Sequence, residues 1–61
     1  MPNVKIDWNA GRTQEQKDKV AKAITEAIST IGGARAEGTY VVFRDVPKDN
    51  WASGGTLLSD K

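Results

Sequence analysis

The sequence has neither cysteine nor histidine among its 61 residues, and its aromatic residues are two tryptophans, one tyrosine and one phenylalanine. Without cysteine there are no disulfides, thiolate nucleophiles or thiolate metal ligands, and without histidine there are no imidazole bases or imidazole metal ligands. Carboxylates, lysines, Tyr40 and the amino terminus remain for acid–base chemistry. We therefore expect no bound metal and no other cofactor.

The sequence also lacks an excess of charge of either sign. Nine basic and eight acidic residues give a formal net charge of +1, which offers no basic patch for nucleic acid or an anionic membrane. No apolar run approaches the roughly 18 residues of a membrane span, and the first residues lack the apolar segment of a secretory signal. These absences predict a cytoplasmic protein with no nucleic-acid or membrane partner.

The short length favours self-association. A chain of this size buries only about 60% of the surface that it exposes when unfolded, and small domains usually add disulfides, metals or oligomerisation. Because cysteine and histidine are absent, we expect residues 1–61 to form a single domain that oligomerises.

The first residues have the pattern of a strand. Residues 3 to 8 alternate between polar and apolar side chains, with Val4, Ile6 and Trp8 on one face, as is typical of a half-buried strand. Residues 9 to 12 then form a short connection.

A helix is predicted to follow. Thr13 and Gln16 have the spacing of a capping box, and Gly32 with Gly33 provides a stop signal. The acidic and basic side chains between them fall at favourable i,i+4 spacings. Five apolar residues at spacings of three and four predict one stripe that faces a core: Val20, Ile24, Ala27, Ile28 and Ile31.

A second β-prone run from Tyr40 to Val46 ends directly before Pro47. Strand, helix and strand predict an α/β (α+β) fold with a single right-handed βαβ unit and parallel strands. One helix covers one face of so small a sheet, and apolar side chains on the other face again favour a partner subunit. Residues 48–61 predict a short C-terminal hairpin that packs on a neighbouring subunit.

The sequence opens with Met1-Pro2. Removal of Met1 would leave Pro2 with a secondary amine at the chain terminus. An ordinary α-amino group titrates near about 8, and an apolar pocket or nearby guanidinium groups lower that pKa. Such an amine is a competent general base near neutral pH, whereas Pro2 in an intact Met1-Pro2 amide has no basic lone pair.

An opening proline on a short strand is followed by further groups of residues at specific spacings: Gly11-Arg12-Thr13, Glu15-Gln16-Lys17, Glu26-Ala27-Ile28-Ser29, Trp51 and Gly54-Gly55. Together they resemble the 4-oxalocrotonate tautomerase family from Pro2 to about Leu57. The resemblance implies a hexamer, a trimer of dimers, in which the N-terminal proline moves a proton between oxygen and carbon of an enol. It also implies that Arg12 binds a substrate carboxylate and that Trp51 closes an apolar pocket.

Tyr40 departs from the family pattern, which has a second arginine at this position. Tyr40 offers one neutral hydrogen-bond donor in its place. Arg35 or Arg44 is an alternative source of the missing charge, and so is a different subunit in a hetero-hexamer. In a hetero-hexamer the partner chain supplies either the missing arginine or the chemistry itself, and in the second case this chain is a non-catalytic scaffold.

Arg12 has a second reason to bind an anion, because a cation just ahead of a helix N-terminus faces the positive end of the helix dipole. A substrate carboxylate would compensate that repulsion, as would a surface ion pair. Asn9 is placed to line the pocket or to form the turn beside it. The resulting prediction is enol–keto proton transfer on a small unsaturated 2-hydroxy or 2-keto acid. Ser53, where hydratase and dehalogenase relatives use an acidic residue, disfavours those activities.

Overall fold

The computed structural model describes all 61 residues and has the predicted βαβ order. Three short 3₁₀ turns, Ala36–Gly38, Lys48–Asn50 and Leu58–Asp60, lie in the connections and at the chain end. The regular elements are β1 (Asn3–Asn9), α1 (Gln14–Thr30), β2 (Tyr40–Val46), β3 (Ala52–Ser53) and β4 (Thr56–Leu57). The predicted fold class, a βαβ unit followed by a short hairpin, is confirmed.

β1 and β2 pair in parallel along their full lengths, from Asn3 opposite Tyr40 to Asn9 opposite Val46. The Ala10 N–H donates to the Val46 carbonyl over 3.0 Å and extends the pairing by one further bond. Asn9 therefore belongs to the strand, and its assignment to the connection was wrong. The alternation of polar and apolar side chains could not reveal that Asn9 belongs to β1, because its place in the strand depends on pairing with Val46 of β2.

The start of α1 is built as the capping motif predicts. The Thr13 side chain accepts the Gln16 N–H, and the Gln16 side chain accepts the Thr13 N–H over 2.9 Å. Two predicted i,i+4 ion pairs, Lys19 with Glu15 and Lys22 with Asp18, lie on the exposed face. At the other end the Gly33 N–H donates to the Ser29 carbonyl, so the helix stops where the glycines predict.

The apolar stripe of α1 is narrower than predicted. Val20, Ile24 and Ile28 are half-buried, but Ala27 is exposed and Ile31 is 88% exposed. A sheet of two strands covers only a narrow part of a helix, and Ile31 lies after the last helical residue. Within one chain the sheet therefore covers the stripe only at Val20, Ile24 and Ile28, and coverage of Ala27 and Ile31 stays a prediction.

The opposite face of the sheet is more polar than predicted. Its exposed apolar side chains are Tyr40 and Val42, at 52% and 41%, while Val46 on the same face is half-buried. Asp7 and Arg44 lie opposite each other on this face, and their side chains approach to 3.9 Å. The face thus combines an exposed apolar patch with an ion pair.

The C-terminal hairpin turns at Gly54 and Gly55, whose φ angles are 61° and 86°. Two consecutive left-handed residues suit the right-handed twist of a two-residue hairpin, and glycine adopts them without a steric cost. β3 and β4 pair antiparallel across this turn, and the Leu58 N–H donates to the Trp51 carbonyl over 2.8 Å. The predicted hairpin is confirmed.

A single chain has no buried interior. No residue is fully buried, and the chain exposes 4579 Å², whereas a folded monomer of this mass is expected to expose about 3,900 Å². Its radius of gyration is 14.5 Å, compared with about 10.5 Å for a compact domain of this length. α1 does not have the length and apolar character needed to cross a membrane. We expect the missing burial to come from other chains.

We therefore expect folding to depend on protein concentration. At about a hundredfold dilution from micromolar protein, the urea midpoint should fall, because unfolding then releases separate chains. Circular dichroism at each concentration, with sedimentation velocity on the same samples, measures both quantities. A folded monomer with a concentration-independent midpoint would contradict this expectation.

Candidate active site

Two of the predicted site residues lie together at the amino end of the sheet. The Tyr40 N–H donates to the Pro2 carbonyl over 3.0 Å, one step ahead of the pairing of Asn3 with Tyr40. Pro2 is half-buried, whereas the phenol of Tyr40 is largely exposed. This end of the sheet therefore presents the candidate base and one neutral hydrogen-bond donor.

Arg12 lies at the other end of β1, just before the helix. Gly11 has a φ of 128°, a conformation that side chains with a Cβ rarely adopt, and it turns the chain from strand to helix. The Arg12 Nη1 donates to the Asn9 carbonyl over 2.7 Å, and its Cζ lies 4.5 Å from the centre of the Trp8 ring. Asn9 thus contacts Arg12 through its backbone.

Arg12 differs from the other two arginines in having no carboxylate partner. Arg35 lies 3.3 Å from a carboxylate oxygen of Glu37, and Arg44 lies 3.9 Å from one of Asp7. The two arginines proposed to supply the charge missing at Tyr40 are thus each paired with an acidic residue of the same chain. Arg12 is the arginine whose charge remains free for an anion.

One chain does not bring the predicted site residues together. β1 has seven residues, and at about 3.3 Å per residue its ends lie roughly 20 Å apart. Pro2 and Tyr40 lie at one end, and Arg12 at the other, while Trp51 follows the end of β2 and is half-buried in the tail.

The surface of one chain has no depression at the predicted site residues. Two depressions lie along α1, with volumes of about 440 and 540 Å³, and none of the predicted site residues lines either of them. No three acidic side chains come together in a group that would hold a metal ion.

A cluster that the sequence did not predict lies beside Arg12 and consists of Trp8, Phe43, Asp45 and Lys17. The Trp8 Nε1 donates to Asp45 Oδ1 over 2.8 Å, and the Trp8 ring stacks on Phe43 with centroids 5.1 Å apart. The second Asp45 oxygen accepts from the Lys17 ammonium. The register of β1 against β2 places Trp8 opposite Asp45. No sequence motif signals this register, although a tryptophan on the helix-facing side of β1 was a visible sign of a specific contact.

The cluster changes the acidity of Asp45. The hydrogen bond from Lys17 holds the pKa of this carboxyl below its ordinary value of 3.8, and the Trp8 indole N–H acts in the same direction. Both donors stabilise the ionised form. Asp45 therefore stays charged in the folded protein at pH values where an isolated aspartic acid begins to take up a proton.

Comparison with known proteins supports the same family as the sequence. Residues 2–61 match the family model described as tautomerase enzyme. A probable tautomerase of Lactiplantibacillus plantarum is 43% identical over 61 residues, which cover 100% of this chain and 95% of the relative.

Solved structures agree with this match. A 4-oxalocrotonate tautomerase homologue superposes with a TM-score of 0.93 at 36% identity and covers 100% of this chain and 97% of its own. A heterohexamer 4-oxalocrotonate tautomerase from Chloroflexus aurantiacus has a TM-score of 0.90 at 25% identity, with 98% and 97% covered. The chain belongs to the tautomerase family, and this membership supports a tautomerase-type activity.

The lowered pKa of Asp45 predicts a pH-dependent contribution to stability. A carboxyl whose pKa is depressed by folding stabilises above its unfolded value, and the contribution disappears as the pH falls through the folded value. Asp45→Asn should therefore lower the urea midpoint at about pH 6 and have little effect well below pH 3.8.

Urea titrations of both proteins at one fixed concentration measure this difference. Asp49→Asn is the matched control, because it removes the same charge from a residue that forms no ion pair. A difference between wild type and Asp45→Asn that stays constant down to acid pH would contradict the prediction.

Proposed function

We propose that the protein catalyses enol–keto proton transfer on a small unsaturated 2-hydroxy or 2-keto acid, without a cofactor, in a site shared between chains. One observation carries this proposal: the Arg12 guanidinium has no carboxylate partner. It lies at one end of the sheet, and Pro2 lies at the other end. Family membership supports the type of reaction.

Pro2 acts as the base once Met1 is removed and its nitrogen is a secondary amine. The amine takes the proton from the enol hydroxyl, and the electron pair of the O–H bond forms the carbonyl. The double bond shifts, and the protonated amine returns its proton to carbon. No atom is gained or lost, so the reaction requires neither water nor an oxidant. General acid–base transfer of this kind contributes typically about 10²- to 10⁴-fold.

Arg12 binds the substrate carboxylate and comes from a different chain than the proline it serves. Its Nη1 is occupied by the Asn9 carbonyl, and a guanidinium has five N–H donors in a planar fork. The remaining donors suit a carboxylate, which accepts two parallel hydrogen bonds. The roughly 20 Å between the ends of β1 supports the sharing of one site by two chains.

Tyr40 and Trp51 complete the proposed site. The exposed Tyr40 hydroxyl donates to a carbonyl or carboxylate oxygen of the substrate, and Trp51 excludes water from the reacting atoms. A neutral phenol stabilises a developing negative charge less than a second arginine would. We therefore infer a weaker or altered preference for substrates with two carboxylates. Asn9 serves the site by accepting from Arg12 through its carbonyl.

The proposed assembly is a hexamer, a trimer of dimers, made of identical chains or of this chain with a homologous partner. The absence of a buried interior supports an assembly. One structural neighbour is described as a heterohexamer, which supports the composition with a homologous partner. Such a partner would supply the positive charge that Tyr40 lacks. If the partner supplies the chemistry as well, the chain is a non-catalytic scaffold and shows no activity alone.

Replacement of the proline tests the base. Pro2→Ala should lower kcat for ketonisation of 2-hydroxymuconate or of an arylpyruvate enol by about 10²-fold. The enol absorbance follows the rate, and intact-mass measurement of both proteins reports whether Met1 has been removed. Lys19→Ala, on the exposed face of α1, is the control for a surface change.

Three results of this assay have distinct meanings. Equal rates for wild type and Pro2→Ala would contradict the role of the proline. An inactive wild type that gains activity with a homologous partner chain would favour the scaffold function. Activity in protein that retains Met1 would exclude Pro2 as the base.

Mixing of two inactive variants tests the shared site. Pro2→Ala and Arg12→Ala, unfolded together in equal amounts and refolded, should regain activity, because some sites then combine an intact Pro2 with an intact Arg12. Random assembly leaves about a quarter of the sites intact when two different chains contribute. Each variant refolded alone is the control. No recovery in mixed assemblies of native size would contradict the sharing.

A further inference from the structure

An aromatic ring, and not an acidic side chain, contacts the Arg12 guanidinium. We propose that Trp8 is the positioning residue for Arg12, holding the guanidinium at the site while leaving its charge unneutralised for one substrate carboxylate. This inference rests on the proposed function, because it assigns to Arg12 the binding of the substrate carboxylate. Trp8 is not among the residues to which the family resemblance assigns a function.

The contact itself is the first step. The Arg12 Cζ lies 4.5 Å from the centre of the Trp8 ring, within the distance at which a cation is attracted to an aromatic face. The Asn9 carbonyl holds Nη1 at 2.7 Å. Ring face and carbonyl together restrict a side chain that otherwise has many rotamers, and fewer rotamers have to be fixed when the carboxylate binds.

Trp8 is itself held from two directions. Phe43 stacks against the ring at an interplanar angle of 23°. The indole Nε1 donates to Asp45 over 2.8 Å. A ring fixed by one neighbour across the strand pair and one hydrogen bond has a defined orientation, so it provides a fixed surface for the guanidinium.

Asp45 is the nearest candidate for a competing partner, but it is already engaged. One of its oxygens accepts from Trp8 and the other from Lys17, so its attraction for Arg12 is Coulombic, without an ion pair or a hydrogen bond. A carboxylate paired directly with Arg12 would have to be displaced by the substrate. The ring attracts the cation without occupying its N–H donors, which lie in the plane of the guanidinium.

Removal of the ring should weaken binding of acid substrates. Trp8→Leu should raise KM for the enol of phenylpyruvate by about 3- to 10-fold with a smaller change in kcat, because the carboxylate is held in both ground state and transition state. KM for the methyl ester of the same substrate should stay unchanged. A purely structural role of Trp8 would affect acid and ester alike.

A double-mutant cycle separates the inference from the proposed function. If Trp8 acts through Arg12, Trp8→Leu should have no further effect on KM in an Arg12→Ala background. Full additivity of the two effects would overturn the positioning role. An Arg12→Ala variant with wild-type KM for the acid would instead overturn the carboxylate-binding role of Arg12, and with it the proposed function.

Unsubstituted protein provides a second measurement in case Trp8→Leu does not assemble. Saturating phenylacetate should shift the Trp8 indole N–H resonance in ¹H–¹⁵N spectra, whereas neutral phenylacetamide should not. Trp51→Phe assigns the two indole signals. Phenylacetate that inhibits the reaction competitively while the Trp8 resonance stays in place would overturn the inference.

Discussion

The parallel pairing of β1 with β2 is the constraint on which the other features depend. Parallel neighbours require a crossover, and α1 provides it across one face of the sheet. With this crossover, the amino ends of both strands lie at one end of the sheet. The connection before α1 lies at the other end. Pro2 and Tyr40 consequently lie far from Arg12 in the same chain, and a complete site in our proposal requires a second copy.

The second organising feature is a positive charge held where electrostatics disfavours it. Arg12 precedes the N-terminus of α1, whose dipole repels a cation. The chain compensates with the face of Trp8 and the carbonyl of Asn9. Both are uncharged, so neither forms an ion pair with the guanidinium, and the charge of Asp45 acts on it only as a Coulombic attraction without an ion pair. The other arginines, Arg35 and Arg44, are paired with acids and lack this property.

Local features of the fold could be predicted from sequence because their causes are local. The Thr13 and Gln16 side chains cap the helix through neighbouring backbone groups, and Gly54 with Gly55 makes the hairpin turn on its own. Features set by distant residues could not be predicted in this way. The strand position of Asn9, the exposure of Ile31 and the contact of Trp8 with Asp45 all depend on how one element packs on another. Pro2 and Arg12 were identified through family resemblance, whereas their separation within one chain follows only from the strand pairing.

The absence of an interior in the single chain also sets the kinetic order of folding. A domain with its own core folds in a step whose rate does not depend on how many copies are present. In the proposed assembly the exposed Ile31, Tyr40 and Val42 become covered when chains meet, so the final step would be an encounter between molecules whose rate rises with concentration. On this proposal a newly synthesised chain becomes native at a rate set by the abundance of the chains with which it assembles.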